Sequence, residues 1–196
     1  GKYTQGLLDL LDKYNVKVTF FVTNTHPDYQ NLIAEEAKRG HTVAIHSASH
    51  KYNQIYTSEQ AFFDDLEQMN SIIKAQTGND ASIIRFPGGS SNTVRKDYCP
   101  GIMTQLVNDV TARGLLYCDW NVSSGDANNK PISTEQVVQN VISGVQSHNV
   151  SVVLQHDIKD FSVNAVEQII QWGQANGYTF LPLTTSSPMS HHRVNN

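Results

Sequence analysis

Residues 44–50 read Ala-Ile-His-Ser-Ala-Ser-His, and they place two histidines, His46 and His50, four positions apart just past an apolar run of β type. Imidazoles are frequent ligands of divalent metals, and a short turn can direct two rings at this spacing into one pocket. Two unrelated polar residues at a strand end would give the same pattern. The interpretation therefore depends on the rest of the chain.

Three other stretches carry residue types that a hydrolytic metal site uses, and each follows a strand-like run. They are Arg85-Phe86-Pro87-Gly88-Gly89, Asp119-Trp120 and Leu154-Gln155-His156. Strand-like and helix-like segments alternate along the chain, which predicts a parallel α/β fold, barrel-like in its arrangement. Functional sites in such folds lie beyond the carboxyl ends of the strands, where all four stretches fall. We therefore expect these stretches to share one site.

Hydrophobic periodicity and terminal residues predict the individual elements. Helices are predicted over residues 3–14, 27–39, 58–78, 100–113, 134–147 and 164–176. Strands are predicted over residues 16–22, 42–45, 82–84, 115–120, 150–154 and 178–181, the fifth of them a buried apolar strand. Residues 123–131, rich in Gly, Asn and Ser, predict a loop, and the polar tail 184–196 is expected to be loosely held.

Composition limits the classes of protein to which the chain can belong. Its 196 residues, 39% of them hydrophobic, predict a single domain over residues 1–196. The net charge of −4, with the signs mixed along the chain, provides no basic patch for nucleic acid. No apolar stretch approaches the roughly 18 residues of a membrane-spanning helix. Cys99 and Cys118 permit either one disulfide or two buried thiols, and both remain open.

Together these motifs resemble the polysaccharide deacetylases, carbohydrate esterase family four, which share the NodB-type domain. His46-Ser47-Ala48-Ser49-His50 is similar to the family's H-[ST]-x-x-H motif, Arg85 to Gly89 to its R-x-P-x-G motif, and Leu154 to His156 to its L-x-H motif. The resemblance extends from Leu7 to Thr184. It implies a distorted (β/α) barrel, seven-stranded in the family.

The resemblance also implies an activity and a place for it. Such enzymes remove N-acetyl groups from GlcNAc polymers such as peptidoglycan or chitin with a divalent metal, most often zinc, with cobalt, nickel or manganese as alternatives. The implied partner is an N-acetylated glycan, and neither nucleic acid nor a membrane is implied. The bacterial relatives that this chain resembles are usually secreted or surface-anchored.

The resemblance implies a role for each motif residue. His46 and His50 would bind the metal, His156 would protonate the leaving amine, and Arg85 would orient an aspartate base. The predicted substrate-binding residues are Phe86, Pro87, Gly88, Trp120 and Leu154, with the backbone N–H of Gly88 holding the oxyanion. Structural interpretations remain open for several of them. His156 could be a core histidine, and Arg85 a member of a structural ion pair. Gly88 could belong to a simple turn, and Trp120 and Leu154 could be ordinary buried residues.

The chain departs from the family at two motifs. The T-F-D-D-G-P motif, whose aspartates serve as catalytic base and third metal ligand, does not occur, and only about six strands are predicted. We therefore expect that the first strand is missing, and that the truncated chain is weakly active or inactive and binds metal poorly. In the fourth motif, Ser123 and Ala127 stand where the family often has Asp and Trp. Asp126 matches a frequent family aspartate and is the candidate for the carboxylate that tunes His156.

Three functions follow from these residues. The first is deacetylation of an N-acetylated cell-wall glycan. The second is carbohydrate binding without catalysis, by a relative that keeps the pocket walls but lacks the base and the third ligand. The third is metal-dependent hydrolysis of a small amide or another acyl group, which a closed pocket would favour over a wide groove.

Overall fold

A computed structural model describes residues 1–128 and 132–195, without the side chains of Val94 and Arg95. The chain divides into two compact units. The small unit consists of Gly1–Val18 and Trp120–Leu181. The large unit consists of Thr19–Asp119 and the chain from Pro182 onward. The single domain predicted over residues 1–196 stays a prediction.

The described elements comprise α-helices, β-strands and two short 3-10 turns, Pro27–Tyr29 and Val94–Asp97. In chain order the helices and strands are α1 (Thr4–Lys13), β1 (Thr19–Thr23), α2 (Asn31–Lys38), β2 (Thr42–Ser47), α3 (Tyr52–Ile55), α4 (Glu59–Thr77), β3 (Ile83–Ile84), α5 (Ile102–Ala112), β4 (Leu116–Tyr117), β5 (Val122–Ser123), α6 (Thr134–Gln146), β6 (Val153–Leu154) and α7 (Asp160–Ala175). No described helix is long and apolar enough to cross a membrane.

The large unit is built on a parallel sheet in the order β1-β2-β3-β4. Strands β1 and β2 stay in register from Thr19 opposite Thr42 to Val22 opposite Ile45. The register then shifts, and Thr23 lies opposite Ser47. Helices occupy the crossovers between the parallel strands, as parallel pairing requires. The predicted parallel α/β class is therefore confirmed.

Helix α4 packs an apolar stripe into the core of the large unit. Ser58 caps its start, because the Ser58 hydroxyl oxygen accepts a hydrogen bond from the Ala61 N–H at 3.1 Å. Gly78, in the left-handed conformation at φ 81°, ends it. The buried residues recur at three- and four-residue spacing and are Phe62, Phe63, Leu66, Met69 and Ile73. This helix agrees with the predicted one at both ends.

The small unit contains α1, α6, α7 and the parallel pair β5 and β6, in which Val122 lies opposite Val153. Its core is a cluster of buried apolar residues from α6 and α7, namely Val137, Val138, Val141, Ala165 and Ile169. Helix α1 is tied to α7 by the Lys13 ammonium, 2.7 Å from a Glu167 carboxylate oxygen that also accepts from the Tyr14 hydroxyl.

Several strands are shorter than predicted. Strand β1 starts at Thr19 rather than residue 16, and β4 has two residues in place of six. The strand predicted at 150–154 is confirmed only at Val153–Leu154, and it is not fully buried, since these residues are half-buried and the Val150 side chain is 59% exposed. The strand predicted at 178–181 is wrong, because this described segment makes no strand pairing and Leu181 is 77% exposed. A β-type composition forms a strand only where a partner edge is available.

Other differences concern helix boundaries and connections. The helix predicted at 27–39 is a 3-10 turn followed by α2, and the one predicted from 164 starts at Asp160. The helix predicted from residue 100 starts at Ile102. The unpredicted α3 occupies the connection after the histidine pair. Of the predicted loop 123–131, Ser123 belongs to β5 and residues 129–131 lie outside the described residues.

The tail after Pro182 is held against the large unit, which corrects the expectation of a loose segment. The Leu183 N–H donates to the Thr19 hydroxyl oxygen at 2.7 Å. The Asp119 N–H donates to the Ser190 carbonyl at 2.7 Å. These bonds tie the polar tail to β1 and to the end of β4. Both cysteines, Cys99 and Cys118, are free thiols.

Candidate active site

The two histidines of the opening motif lie at the carboxyl end of β2 in the large unit. Strand β2 extends two residues further than predicted, so His46 belongs to the strand and His50 to the turn after it. The centroids of the two rings are 5.0 Å apart. His50 has a positive φ of 54°, which is uncommon for a residue with a side chain. The strand end and this turn therefore bring both imidazoles together.

The tautomer of His46 follows from its hydrogen bond. Its Nδ1 lies 2.7 Å from the carbonyl oxygen of Arg85. A carbonyl oxygen can only accept, so Nδ1 carries the proton, and in the neutral ring the lone pair that could bind a metal is on Nε2. Histidine ligands commonly have their second nitrogen held in this way. The backbone directly after β3 thus orients the first predicted ligand.

A carboxylate on α4 holds the turn between the histidines. Asp65 accepts hydrogen bonds from the Ser47 hydroxyl at 2.6 Å, the Ala48 N–H at 2.9 Å and the Ser49 N–H at 2.8 Å. The Ser47 hydroxyl oxygen in turn accepts from the His50 N–H at 2.8 Å. These bonds stabilise the turn in which His50 takes its unusual backbone conformation.

Asp65 was not predicted from the sequence, although one signal was available. It lies three residues after Phe62 and four before Met69, on the buried stripe of α4, whereas its neighbour Asp64 is exposed. A carboxylate on an apolar stripe needs partners, because its burial without them is costly. The stripe position indicates that Asp65 has a structural or functional partner, but not which one.

His46 and His50 fit two of the protein ligands of a divalent metal. They supply two imidazoles from one strand end, and one of them has its second nitrogen bonded to a carbonyl oxygen. Among residues 1–128 and 132–195, no group of three His, Cys, Asp or Glu side chains is placed to hold a metal. The third ligand that the family resemblance implies is absent from the sequence.

Arg85 is buried at the end of β3, with 7% of its surface exposed. Its Nε donates to the Cys118 carbonyl at 2.8 Å and its Nη2 to the Asp119 carbonyl at 2.9 Å, and the guanidinium lies 4.0 Å from the centroid of the Phe21 ring. Burial lowers the pKa of Arg85 to about 10, although nearby Cys118 and Asp119 favour the charged form. Arg85 is therefore charged at neutral pH. Its predicted action on an aspartate base stays a prediction.

The three predicted substrate-binding residues of the loop after Arg85 differ in exposure: Phe86 and Pro87 are buried, and Gly88 is exposed. Phe86 has no exposed surface and packs against Phe62 and Tyr117, with ring centroids at 5.5 and 5.4 Å. Its ring therefore supports the loop from the core. Pro87 offers its carbonyl oxygen as a hydrogen-bond acceptor, and Gly88 has a φ of 78°.

A buried carboxylate at the end of β4 fixes the continuation of this loop. Asp119 has no exposed surface and accepts hydrogen bonds from the Ser90 N–H at 2.9 Å, the Ser90 hydroxyl and the His192 N–H at 2.9 Å. His191 stacks on Tyr117 with centroids 4.0 Å apart. Asp119 and the tail therefore hold the segment that follows the R-x-P-x-G motif.

The small unit contains the second predicted imidazole site. His156 Nδ1 lies 2.8 Å from Asp126 Oδ1, and since the carboxylate accepts, this nitrogen carries a proton. Asp126 Oδ2 accepts hydrogen bonds from the backbone N–H of His156 at 2.7 Å and from the Ser162 hydroxyl at 2.6 Å. The Asp126 side chain is 1% exposed and that of His156 is 35% exposed. The structure thus joins the predicted acid to the predicted tuning carboxylate.

The electrostatics of Asp126 follow from these contacts. Burial alone would raise the pKa of Asp126, but hydrogen bonds from His156 and Ser162 oppose it and lower the value to about 2. Asp126 is therefore an ionised acceptor at neutral pH. Gly125 precedes it at φ 78°, where an added Cβ would lie 2.7 Å from the Asn140 amide nitrogen, so the tight turn requires glycine.

Trp120 and Leu154, the predicted pocket walls, are both half-buried in the small unit. Leu154 belongs to β6, two residues before His156, and lies opposite Ser123 of β5. Leu154 therefore lies at the end of the strand that leads to His156. This placement fits both a pocket wall and a packing residue.

The parallel α/β fold and these motif residues are those expected of the polysaccharide deacetylase family. A sequence model described as polysaccharide deacetylase matches residues 1–99, and the chain belongs to this family. The chain is similar to the catalytic domain of a peptidoglycan N-acetylglucosamine deacetylase from Eubacterium rectale ATCC 33656, whose crystal structure is known. The two sequences are 97% identical. The TM-score is 0.99, with 100% of this chain and 89% of that chain covered.

More distant matches come from Bacillus cereus. A peptidoglycan-N-acetylglucosamine deacetylase is 30% identical over 92% of this chain and 64% of its own length. The crystal structure of the polysaccharide deacetylase Bc1974 is 30% identical, with a TM-score of 0.82, covering 100% of this chain and 91% of that one. The chain spans less than two thirds of the length of the first curated relative.

Proposed function

We propose that the chain is the catalytic part of a metal-dependent deacetylase that removes N-acetyl groups from GlcNAc residues of peptidoglycan. The observation that carries the proposal is the histidine pair at the end of β2, with His46 Nδ1 bonded to the Arg85 carbonyl and His50 in the turn that Asp65 holds. Family membership and the relatives named as peptidoglycan deacetylases support it. Chitin is a second proposed substrate of the same chemistry.

His46 and His50 are the proposed metal ligands, and zinc is the proposed metal, with cobalt, nickel or manganese as alternatives. A metal bound there would polarise the acetyl carbonyl and lower the pKa of a bound water. The proposed base and third ligand are the aspartates of a T-F-D-D-G-P motif, which residues 1–196 do not contain. The family's distorted (β/α) barrel is the proposed fold of the active protein.

His156 is the proposed general acid for the leaving amine. Its Nδ1 proton is held by Asp126, so Nε2 is the nitrogen that would exchange a proton with the substrate. Because Asp126 is ionised and buried, it keeps the imidazole in one orientation and one tautomer through the reaction. Arg85 is proposed to orient the aspartate base.

Three of the remaining predicted residues, Gly88, Trp120 and Leu154, would bind the acetyl group and the sugar. The Gly88 N–H is the proposed oxyanion donor, and Trp120 and Leu154 are the proposed walls of the acetyl pocket. Pro87 shapes the loop that carries this donor. We also propose that the protein acts outside the cell or at its surface, where peptidoglycan lies.

Acetate release from a GlcNAc oligomer tests the proposal. We expect weak or no release from the 196-residue chain and zinc-dependent release from a chain extended before Gly1 by a strand with the Asp-Asp motif. His156→Ala should remove this activity while leaving zinc binding intact. Rapid release by the 196-residue chain, or undiminished release by His156→Ala, would contradict the proposed roles.

Carbohydrate binding without catalysis is the alternative. It predicts that the natural protein binds a GlcNAc oligomer in calorimetry but releases no acetate at any zinc concentration. Catalysis predicts both binding and release, so the same pair of measurements separates the two functions.

A further inference from the structure

The peptide between Pro87 and Gly88 is held by side chains outside the R-x-P-x-G motif. The Pro87 carbonyl oxygen accepts a hydrogen bond from the Tyr56 hydroxyl at 2.8 Å and another from the Asn92 side-chain amide at 3.3 Å. A peptide unit is planar and trans, so fixing the direction of the Pro87 carbonyl also fixes that of the Gly88 N–H on its opposite side. Two side chains thus determine where this N–H points.

Tyr56 is placed for this contact by its packing. It has no exposed surface and follows α3, the short helix after the histidine pair. Its ring stacks on Phe62 with centroids 6.1 Å apart and meets Tyr52 edge-on at 5.8 Å. The hydroxyl therefore has little freedom, and the segment that carries His50 also carries the residue that orients the Gly88 peptide.

Asn92 and Tyr52 occupy the space that a side chain at position 88 would need. A Cβ added to Gly88 would lie 2.3 Å from the Asn92 amide nitrogen and 2.8 Å from the Tyr52 hydroxyl oxygen. Gly88 also has a φ of 78°, which strains any residue with a side chain. Glycine at this position therefore lets Asn92 reach the Pro87 carbonyl.

We propose that Tyr56 and Asn92 are positioning residues for the oxyanion donor of the reaction, an inference that rests on the proposed function. They orient the Gly88 N–H before substrate arrives. Their two hydrogen bonds to the Pro87 carbonyl also polarise the peptide, which strengthens its N–H as a donor. A donor that is fixed in advance needs no reorganisation when negative charge develops on the acetyl oxygen.

The test uses Tyr56→Phe in the chain extended before Gly1 by the Asp-Asp motif. This substitution removes the hydroxyl and keeps the ring. We expect kcat to fall about 10-fold, a part of the loss caused by deleting an oxyanion donor, with KM and zinc content unchanged. Asn92→Ala, at a less buried position, should cause a smaller loss of the same kind. Tyr14→Phe, which removes a tyrosine hydroxyl bonded to Glu167, is the matched control and should retain kcat.

The Gly88 amide resonance gives a measurement that does not require turnover. Tyr56→Phe should shift the Gly88 ¹⁵N resonance, because the preceding carbonyl loses a hydrogen bond, whereas Tyr14→Phe should not. An unshifted Gly88 resonance, or a kcat that Tyr56→Phe leaves unchanged, would overturn this inference. Absence of acetate release from the chain extended by the Asp-Asp motif would instead overturn the proposed function.

Discussion

The large and the small unit each fix a histidine through Nδ1, but with acceptors of different charge. In the large unit, His46 donates to the neutral backbone carbonyl of Arg85. In the small unit, His156 donates to the buried carboxylate of Asp126. A carbonyl orients a neutral imidazole, which suits a metal ligand, while an ionised carboxylate also stabilises the imidazolium that proton transfer requires. The two acceptors are compatible with the proposed roles of His46 as a metal ligand and His156 as an acid.

The two regions also differ in how the acceptor itself is held. The Arg85 carbonyl belongs to the backbone that follows β3 and carries no charge. Asp126 depends on donors from His156 and Ser162, which keep a buried carboxylate ionised. Substitutions in the first region should change metal affinity, and those in the second should change proton transfer.

The largest effect is expected from His50→Ala. It removes one of two imidazoles at the end of β2, so zinc affinity should fall by about 100-fold or more. Isothermal titration of the chain extended by the Asp-Asp motif with zinc measures this affinity. His148→Ala is the matched control, since His148 is an exposed histidine bonded to the Gly144 carbonyl. Equal zinc affinity in wild type and His50→Ala would exclude His50 as a ligand.

Asp126→Asn should leave zinc affinity unchanged and lower kcat by about 100- to 1,000-fold. The amide keeps the size of the carboxylate but loses its charge and favours the wrong tautomer of His156. Steady-state acetate release at saturating zinc measures the effect. If Asp126→Asn lowered zinc affinity and left kcat intact, the assignment of the small unit to proton transfer would be wrong.

Asp65→Asn should weaken zinc binding about 10-fold without changing the ligands themselves. The substitution replaces an acceptor of three hydrogen bonds by an amide that cannot satisfy all of them, so the turn before His50 loosens. Asp64→Asn, an exposed neighbour on α4, controls for the change of charge. Equal zinc affinities of the two variants would show that Asp65 does not prepare the site.

The smallest effect is a pH dependence of folding stability. Because the folded-state pKa of Asp126 is lowered to about 2, its contribution is present above the unfolded value near 4 and is lost as the pH falls towards 2. The shift corresponds to about 2 kcal/mol of unfolding free energy. Urea unfolding between pH 5 and pH 2 should show a steeper loss in wild type than in Asp126→Asn. Parallel curves would remove the basis for a strongly held carboxylate.

Local features of the fold could be predicted from the sequence. The caps at Ser58 and Gly78 depend on neighbouring residues, and α4 agrees with the prediction at both ends. Strand lengths depend on partners that are distant in sequence. The strand predicted at residues 178–181 is therefore wrong, and the strand predicted from residue 150 starts only at Val153. The tail was mispredicted for the same reason, since its partners include Thr19 and Asp119.

The candidate site divides in the same way. The proximity of His46 and His50 could be predicted because their motif is contiguous, and the contact between Asp126 and His156 because of the family resemblance. Asp65 and Tyr56 were missed, because they act through hydrogen bonds to the backbone of residues 17 and 31 positions away. Backbone acceptors and donors leave no sequence signal of their own.

The most direct test is a titration of acetate release against zinc. It is carried out on the chain extended by the Asp-Asp motif, without substitution and with His50→Ala or Asp126→Asn. If the end of β2 binds the metal and the small unit supplies the acid, His50→Ala will move the half-saturating zinc concentration upward. Asp126→Asn will lower only the plateau. A shifted midpoint in Asp126→Asn, or an unshifted midpoint in His50→Ala, would contradict this division between the two regions.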